Sequence, residues 1–229
     1  MSITLESLRG RVEGVRQLVE FSAERVGRNP AAITIVAVSK TVDRDTMMAA
    51  YDLGLRNFGE NRVPDARQKL ADPMPPDTTL HLIGQLQTNK ANHAVDLFDV
   101  IESVDRSSLI AELEKQAAKR GITLPVLLQV NVAREEQKAG AAPEEVGSLV
   151  NEITWAKHLS LIGLMTMAPL VADPEDVRPV FRKLREMRDH LQSDAGLKLP
   201  VLSMGMTNDY MVAIEEGATE VRVGRAIFG

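Results

Sequence analysis

Short apolar runs rich in β-branched residues recur along the 229-residue chain, each separated from the next by a stretch of helical periodicity. The clearest is ITIVAVSK at 33–40, a run too short for a buried helix and ended abruptly by Ser39 and Lys40. Further runs at 55–60, 79–84, 100–104, 125–131, 159–167, 201–206 and 220–223 bring the expected strands to eight. Helices are expected over 43–54, 62–70, 88–97, 107–120, 143–156, 174–192 and 208–216, with Asp43 as an N-cap, Gly54 and Gly121 as stops and Pro143 in a first turn. Regular alternation of strand and helix favours parallel pairing, and eight such units are what a closed (β/α)8 TIM barrel requires. A doubly wound open sheet is the alternative.

Two features bear on how such a barrel closes. Residues 4–28 place Leu5, Leu8, Val12, Val15, Leu18, Val19 and Val26 at helical spacing among Arg and Glu, which reads as an amphipathic helix ahead of the first strand. The sequence stops at Gly229, just after the eighth strand, so this extra N-terminal helix is expected to cover the part of the outer ring where an eighth helix would lie. No linker or shift in composition divides the sequence, and residues 1–229 are read as one domain. A hydrophobic content of 44% is ample for its core.

Composition excludes several classes of function. There is no cysteine, hence no disulfide, thiolate metal site or thiol nucleophile. The N-terminus lacks the pattern of a secretory leader and no apolar run approaches the length of a membrane span, so a cytoplasmic protein is expected. A net charge of −5 gives no footprint for nucleic acid, and Arg182, Lys183, Arg185 and Arg188 alternate with Glu186 and Asp189 as on a solvated helix face. No exposed apolar helix stands out, and a monomer is expected.

In a parallel barrel the carboxyl ends of all strands ring one mouth, where the chemistry is kept. Lys40, Asn61, Gln85, Asn131, Met165, Thr207 and Gly224 stand at those ends. Gln129 shares a strand face with Asn131, and Arg222 with Gly224. SMGMTND at 203–209 supplies Gly205 and then Thr207, read as a hydroxyl N-cap, while VRVGRAIFG at 221–229 supplies Gly224 and a second turn. Loops after strands seven and eight are the usual phosphate site of this barrel, because free backbone N–H groups bind a dianion and glycine lets it approach closely.

Opposite those turns, Lys40 suits either a Schiff base with an aldehyde or a counter-charge for phosphate. The first points to pyridoxal 5′-phosphate (PLP) or to a class I aldolase without cofactor. Arg222, always protonated, suits a place against a pyridine nitrogen that it would keep unprotonated, or an ion pair with a strand-end carboxylate such as Glu60 or Glu102.

AVSK at 37–40, FGEN at 58–61, HLIGQLQTNK at 81–90, the spacing of Asn131, Glu135, Lys138 and Gly140, GLM at 163–165, SMGMTND at 203–209 and VRVGRAIFG at 221–229 closely resemble the pyridoxal phosphate homeostasis proteins over nearly the whole chain. The resemblance implies a fold-type III barrel like the barrel domain of alanine racemase, with PLP as an internal aldimine on Lys40. It implies further that Asn61 lies beside the ring and that Arg222 partners the pyridine nitrogen. Thr207, Gly224 and Arg225 would hold the phosphate, the last two through backbone N–H, with Ser203 and Gly205 shaping the same pocket. The sequence departs from the family pattern at Thr207, where members often carry serine, and at Arg62 and Pro64, where tyrosine and glutamine often follow GEN.

The remaining candidates have plainer readings. His81, His93, His158 and His190 show no metal-ligand spacing, so no metal is expected, and His81 reads as a satisfied barrel histidine. Met165, Met167, Met204 and Met206 read as core or pocket lining, and Glu215 with Glu216 as solvated carboxylates at a helix end. A racemase needs a second base on the opposite ring face; in alanine racemase a tyrosine from a separate β domain provides it, a domain this chain is too short to hold. Tyr51 and Tyr210, the only tyrosines, fall on expected helices. The expected function is therefore PLP binding for intracellular vitamin B6 homeostasis without turnover, the PLP being passed to apo-enzymes that depend on it. A single-domain PLP-dependent racemase or lyase is the alternative, and a cofactor-free aldolase is a third reading.

Overall fold

Strand β1 (Thr34–Val38) pairs in parallel with both β2 (Asn57–Glu60) and β8 (Glu220–Val223). Through β3 (Thr79–Leu82), β4 (Val100–Val104), β5 (Leu124–Gln129), β6 (Leu159–Met165) and β7 (Val201–Met206) the sheet closes in sequence order. With β8 returning to β1, every strand is paired on both sides and no edge is left, which rules out the open-sheet alternative. The structure, a computed structural model, describes residues 3–135 and 137–229.

The outer layer comprises α1 (Leu5–Glu24), α2 (Arg44–Asp52), α3 (Val63–Lys69), α4 (Ala91–Leu97), α5 (Ser107–Arg120), α6 (Val146–Trp155), α7 (Arg178–Ala195), α8 (Tyr210–Glu215) and the short α9 (Arg225–Phe228). Local chemistry sets their ends: the Asp43 carboxylate accepts from the Thr46 N–H at 2.9 Å, and Gly121 ends α5 in the left-handed conformation with φ 63°. Helix α1 buries Leu8, Val12, Val15, Val19 and Ala23 and packs on α2, α8 and α9. It thus occupies the stretch of the outer ring that the short C-terminal helix cannot fill. Among the described residues no helix is long and apolar enough to cross a membrane.

Apolar burial is divided between two layers. The larger, with Met47, Phe58, Leu109, Leu113, Phe181 and Ile227, fills the space between strands and helices. Inside the barrel a separate cluster of Val100, Leu127 and Met165 remains. The lumen also holds polar side chains, as a hydrogen bond from Ser203 on β7 to Glu102 on β4 demonstrates; strands on opposite sides of a closed barrel meet only through its interior.

Two expectations about the surface are corrected. Glu215 and Glu216 are not solvated: Glu216 is buried and pairs with Arg178 at 3.2 Å, Arg182 at 2.9 Å and Arg185 at 3.1 Å, while Glu215 pairs with Arg178 at 2.6 Å and Arg25 at 2.9 Å. Residues 178, 182 and 185 fall on one face of α7, four and three residues apart, so their guanidiniums converge on the end of α8. Half of the basic cluster read as a solvated face is therefore turned to this network.

Candidate functional site

Strand β1 stops at Val38, leaving Ser39 and Lys40 in a turn closed by the Val42 N–H donating to the Ser39 carbonyl at 3.0 Å. Lys40 is exposed there. Among the described residues it has no hydrogen-bond or ion-pair partner. Asn61 follows β2 in the neighbouring loop. A Cβ on Gly84 would lie 2.1 Å from the Asn61 carbonyl oxygen, so only glycine lets the chain after β3 support the Asn61 backbone.

Across the mouth, the turns after β7 and β8 are tied together. The Thr207 hydroxyl accepts from the Ala226 N–H in the first turn of α9 at 3.4 Å, and Arg225 donates to the Asn208 side-chain oxygen at 2.9 Å. Thr207 is thus not the N-cap of α8, as the sequence suggested. Residues 207–209 form a turn, the helix starts at Tyr210, and Asp209 occupies the cap position with its carboxylate accepting from the Met206 N–H at 2.6 Å. Gly205, at φ 93°, brings β7 against α8, where a Cβ would sit 2.6 Å from that of Ala213. Gly224 passes Val38 closely, and among the described residues the Gly224 and Arg225 N–H groups have no backbone acceptor.

Arg222 and Ser203 lie one step deeper. The Arg222 guanidinium donates to the Ser203 hydroxyl and, at 2.7 Å, to the Thr166 carbonyl, with the Glu102 carboxylate 3.9 Å away. Ser203 in turn donates to Glu102 at 2.5 Å. Of the two readings of Arg222, the strand carboxylate beside it is seen here, and among the described residues donors of its five N–H groups remain without a partner. The Ser203 hydroxyl, which the resemblance implies helps shape the phosphate pocket, here accepts from Arg222.

Below Arg222 the lumen contains a cluster of ionisable groups. His81 faces the Glu102 carboxylate at 2.8 Å and the Asn57 side-chain oxygen at 3.1 Å, as expected of a satisfied barrel histidine. Burial opposes its charge, but the hydrogen bond and charge of Glu102 prevail and raise its pKa. Burial likewise works against the Glu102 carboxylate, which His81, Arg222 and Ser203 nevertheless hold below its ordinary range. Glu220 is pushed up to about 8 by burial and then by the neighbouring Glu102 charge. His81, Glu102 and Glu220 offer ligand-type atoms within 4.8 Å of one another, yet the His81 hydrogen bond and the Arg222 cation suit a shared proton better than a metal.

Gln129 and Asn131 are taken up by their own loop: Gln129 donates to the Ala139 carbonyl at 3.0 Å and Asn131 to that of Glu135 at 2.8 Å. Sequence reasoning missed Asn57, Glu220 and Lys69, and cast Glu60 and Glu102 only as partners for Arg222. A signal was present for the lumen: His81 between Leu80 and Leu82, and Glu220 and Arg222 alternating with Val221 and Val223, put charge on one face of buried strands.

The donor set suits a phosphorylated pyridine aldehyde. Among the described residues it has a lysine amine without a partner, two backbone N–H groups and a hydroxyl at joined turns, and a guanidinium with spare donors. Residues 23–229 match the family model described as alanine racemase, N-terminal domain. The pyridoxal phosphate homeostasis protein of Aquifex aeolicus (strain VF5) is 42% identical over 219 residues, 96% of each chain. Among solved structures, PipY of Synechococcus elongatus PCC7942 with PLP bound is similar at TM-score 0.80 and 36% identity, over 93% of this chain and 100% of that one. An unknown protein from Bifidobacterium adolescentis gives TM-score 0.88 at 34% identity over 100% of this chain and 98% of that one.

Proposed function

The chain belongs to the pyridoxal phosphate homeostasis proteins, with the alanine racemase N-terminal domain as its fold, and from that premise we propose that it binds PLP through Lys40 and serves PLP homeostasis in the cytoplasm. The observation that carries the reading is that Lys40, exposed at the carboxyl end of β1 and without a partner among the described residues, shares the barrel mouth with two joined turns whose Gly224 and Arg225 N–H groups have no backbone acceptor among those residues. When bound, the cofactor supplies an aldehyde that condenses with a lysine amine, a C=N bond replacing C=O with release of one water.

Each residue has a definite part. Lys40 would provide the amine, and Thr207 with the Gly224 and Arg225 N–H groups would hold the phosphate. Asn61, at the mouth after β2, would lie beside the ring, and Gly205 fixes the turn before Thr207. Arg222, held by Ser203 and Thr166, has donors left that would meet a ring nitrogen and keep it unprotonated. An unprotonated ring withdraws electrons weakly, which suits holding the cofactor over turning over amino acids.

The tyrosines support the same reading. Tyr51 donates its hydroxyl to Asp77, which precedes β3 at the far end of the barrel, and Tyr210 is buried in the apolar layer. Neither stands as a second base. The protein on this account is a single-domain monomer of residues 1–229 that passes PLP to apo-enzymes. The test combines PLP transfer to an apo-enzyme with α-proton exchange of an amino-acid panel in D₂O. Transfer without exchange is expected; Lys40-dependent exchange would replace the carrier reading with racemase or lyase activity.

A further inference from the structure

Lys69 lies at the end of α3, outside the groups assigned to PLP, yet its ammonium reaches the turn that carries Lys40. It donates to the Ser39 carbonyl at 2.6 Å and to the Glu60 carboxylate at 2.7 Å. The Ser39 hydroxyl donates to the same Glu60 oxygen at 2.7 Å, and the Ser39 N–H to the Gly59 carbonyl at 3.0 Å. The Ser39 carbonyl is also the one that receives the Val42 N–H and closes the turn. Every polar group of Ser39, the residue next to Lys40, is therefore tied down.

The pair is deeply placed, with the Glu60 side chain 1% exposed and that of Lys69 12% exposed. The second Glu60 oxygen is buried without a partner among the described residues, so this carboxylate is committed to Lys69 and Ser39. A buried ion pair is poor evidence for stability, since well-packed apolar residues serve as well or better. What an apolar pair cannot provide is a donor to the turn carbonyl. We propose that Lys69, with Glu60, is a positioning residue for Lys40: it fixes the turn from which the Lys40 amine meets an aldehyde ligand. This rests on the reading of Lys40 as the attachment residue.

The test compares PLP with pyridoxine 5′-phosphate, which has the same ring and phosphate but an alcohol in place of the aldehyde. The double variant Lys69→Met/Glu60→Gln removes both charges and leaves neither alone in the interior. It is expected to lose about tenfold or more in affinity for PLP, the scale of a misplaced reactive group, while pyridoxine 5′-phosphate binds as before. Lys69→Arg, which keeps a donor, is expected to recover much of the loss. Glu60→Gln alone, which replaces the charged hold on the Lys69 ammonium and Ser39 hydroxyl by a weaker neutral one, serves if the double variant fails to fold, and is expected to weaken PLP selectively.

A folded variant that keeps the wild-type preference for PLP, or weakens both ligands equally, overturns the proposal. Failure of the underlying reading looks different. Wild-type protein would then bind both ligands alike, and borohydride would fix no mass on Lys40.

Discussion

The carboxyl of Glu220 gives a sharp test of the lumen. It lies 5% exposed on β8, with one oxygen buried and unpartnered among the described residues and the other 3.9 Å from His81. Burial, followed by the Glu102 charge, pushes its pKa up to about 8 from an ordinary 4.5. Between those values the folded protein holds a proton that the unfolded chain has released. Stability from this group is therefore complete below the unfolded value and is lost as pH rises through the folded one. The loss is about 1.4 kcal/mol per pH unit at most, or about 5 kcal/mol over the window as an upper figure for one proton.

Glu220→Gln keeps the shape and removes the titration. Urea unfolding of both proteins from pH 5 to pH 8.5 gives the difference directly. Groups that do not touch Glu220 cancel in it, while His81 and Glu102, whose charges act on Glu220 directly, respond to the substitution and form part of the difference. The wild type is expected to lose several kcal/mol relative to the variant as pH rises. Parallel profiles would refute the argument that Glu220 is held protonated.

Other changes follow from the same contacts. Gly84→Ala drives a methyl into the Asn61 backbone and is expected to cost about 1–3 kcal/mol by denaturation, with weaker PLP binding. Glu216→Gln strips three arginines of their shared partner and is expected to cost about 3 kcal/mol, seen as a Tm lower by roughly 10 °C. Thr207→Val removes the hydroxyl that joins the two turns and is expected to weaken PLP about tenfold in a titration, the scale of one hydrogen bond.

The barrel was legible because each β-branched run is a strand, and parallel closure sends every carboxyl end to one mouth. Lys40, Asn61, Thr207 and Gly224 could thus be grouped without coordinates. Strand ends were read too far, at Lys40, Asn131 and Met167, because apolar or polar character continues past the last ladder pair. Thr207 and Asp209 are both good caps, and only the backbone path of the turn decides between them. The Ser203 contact to Glu102 joins residues 101 apart in sequence, and Arg222 reaches the same carboxylate, so the arrangement depends on register across the barrel, which no local pattern carries. Lys69 escaped notice because a lysine at a helix end reads as solvated until the neighbouring loop is seen folded over it.

The central claim is covalent attachment at Lys40. The direct measurement is an absorbance spectrum of protein mixed with PLP, before and after borohydride, with the reduced protein digested and its modified peptide identified. The account predicts a lysine-linked chromophore in the wild type, its reduction by borohydride with the added mass on Lys40, and neither in Lys40→Ala. A wild-type protein without that band, or a band that persists in Lys40→Ala, would contradict it.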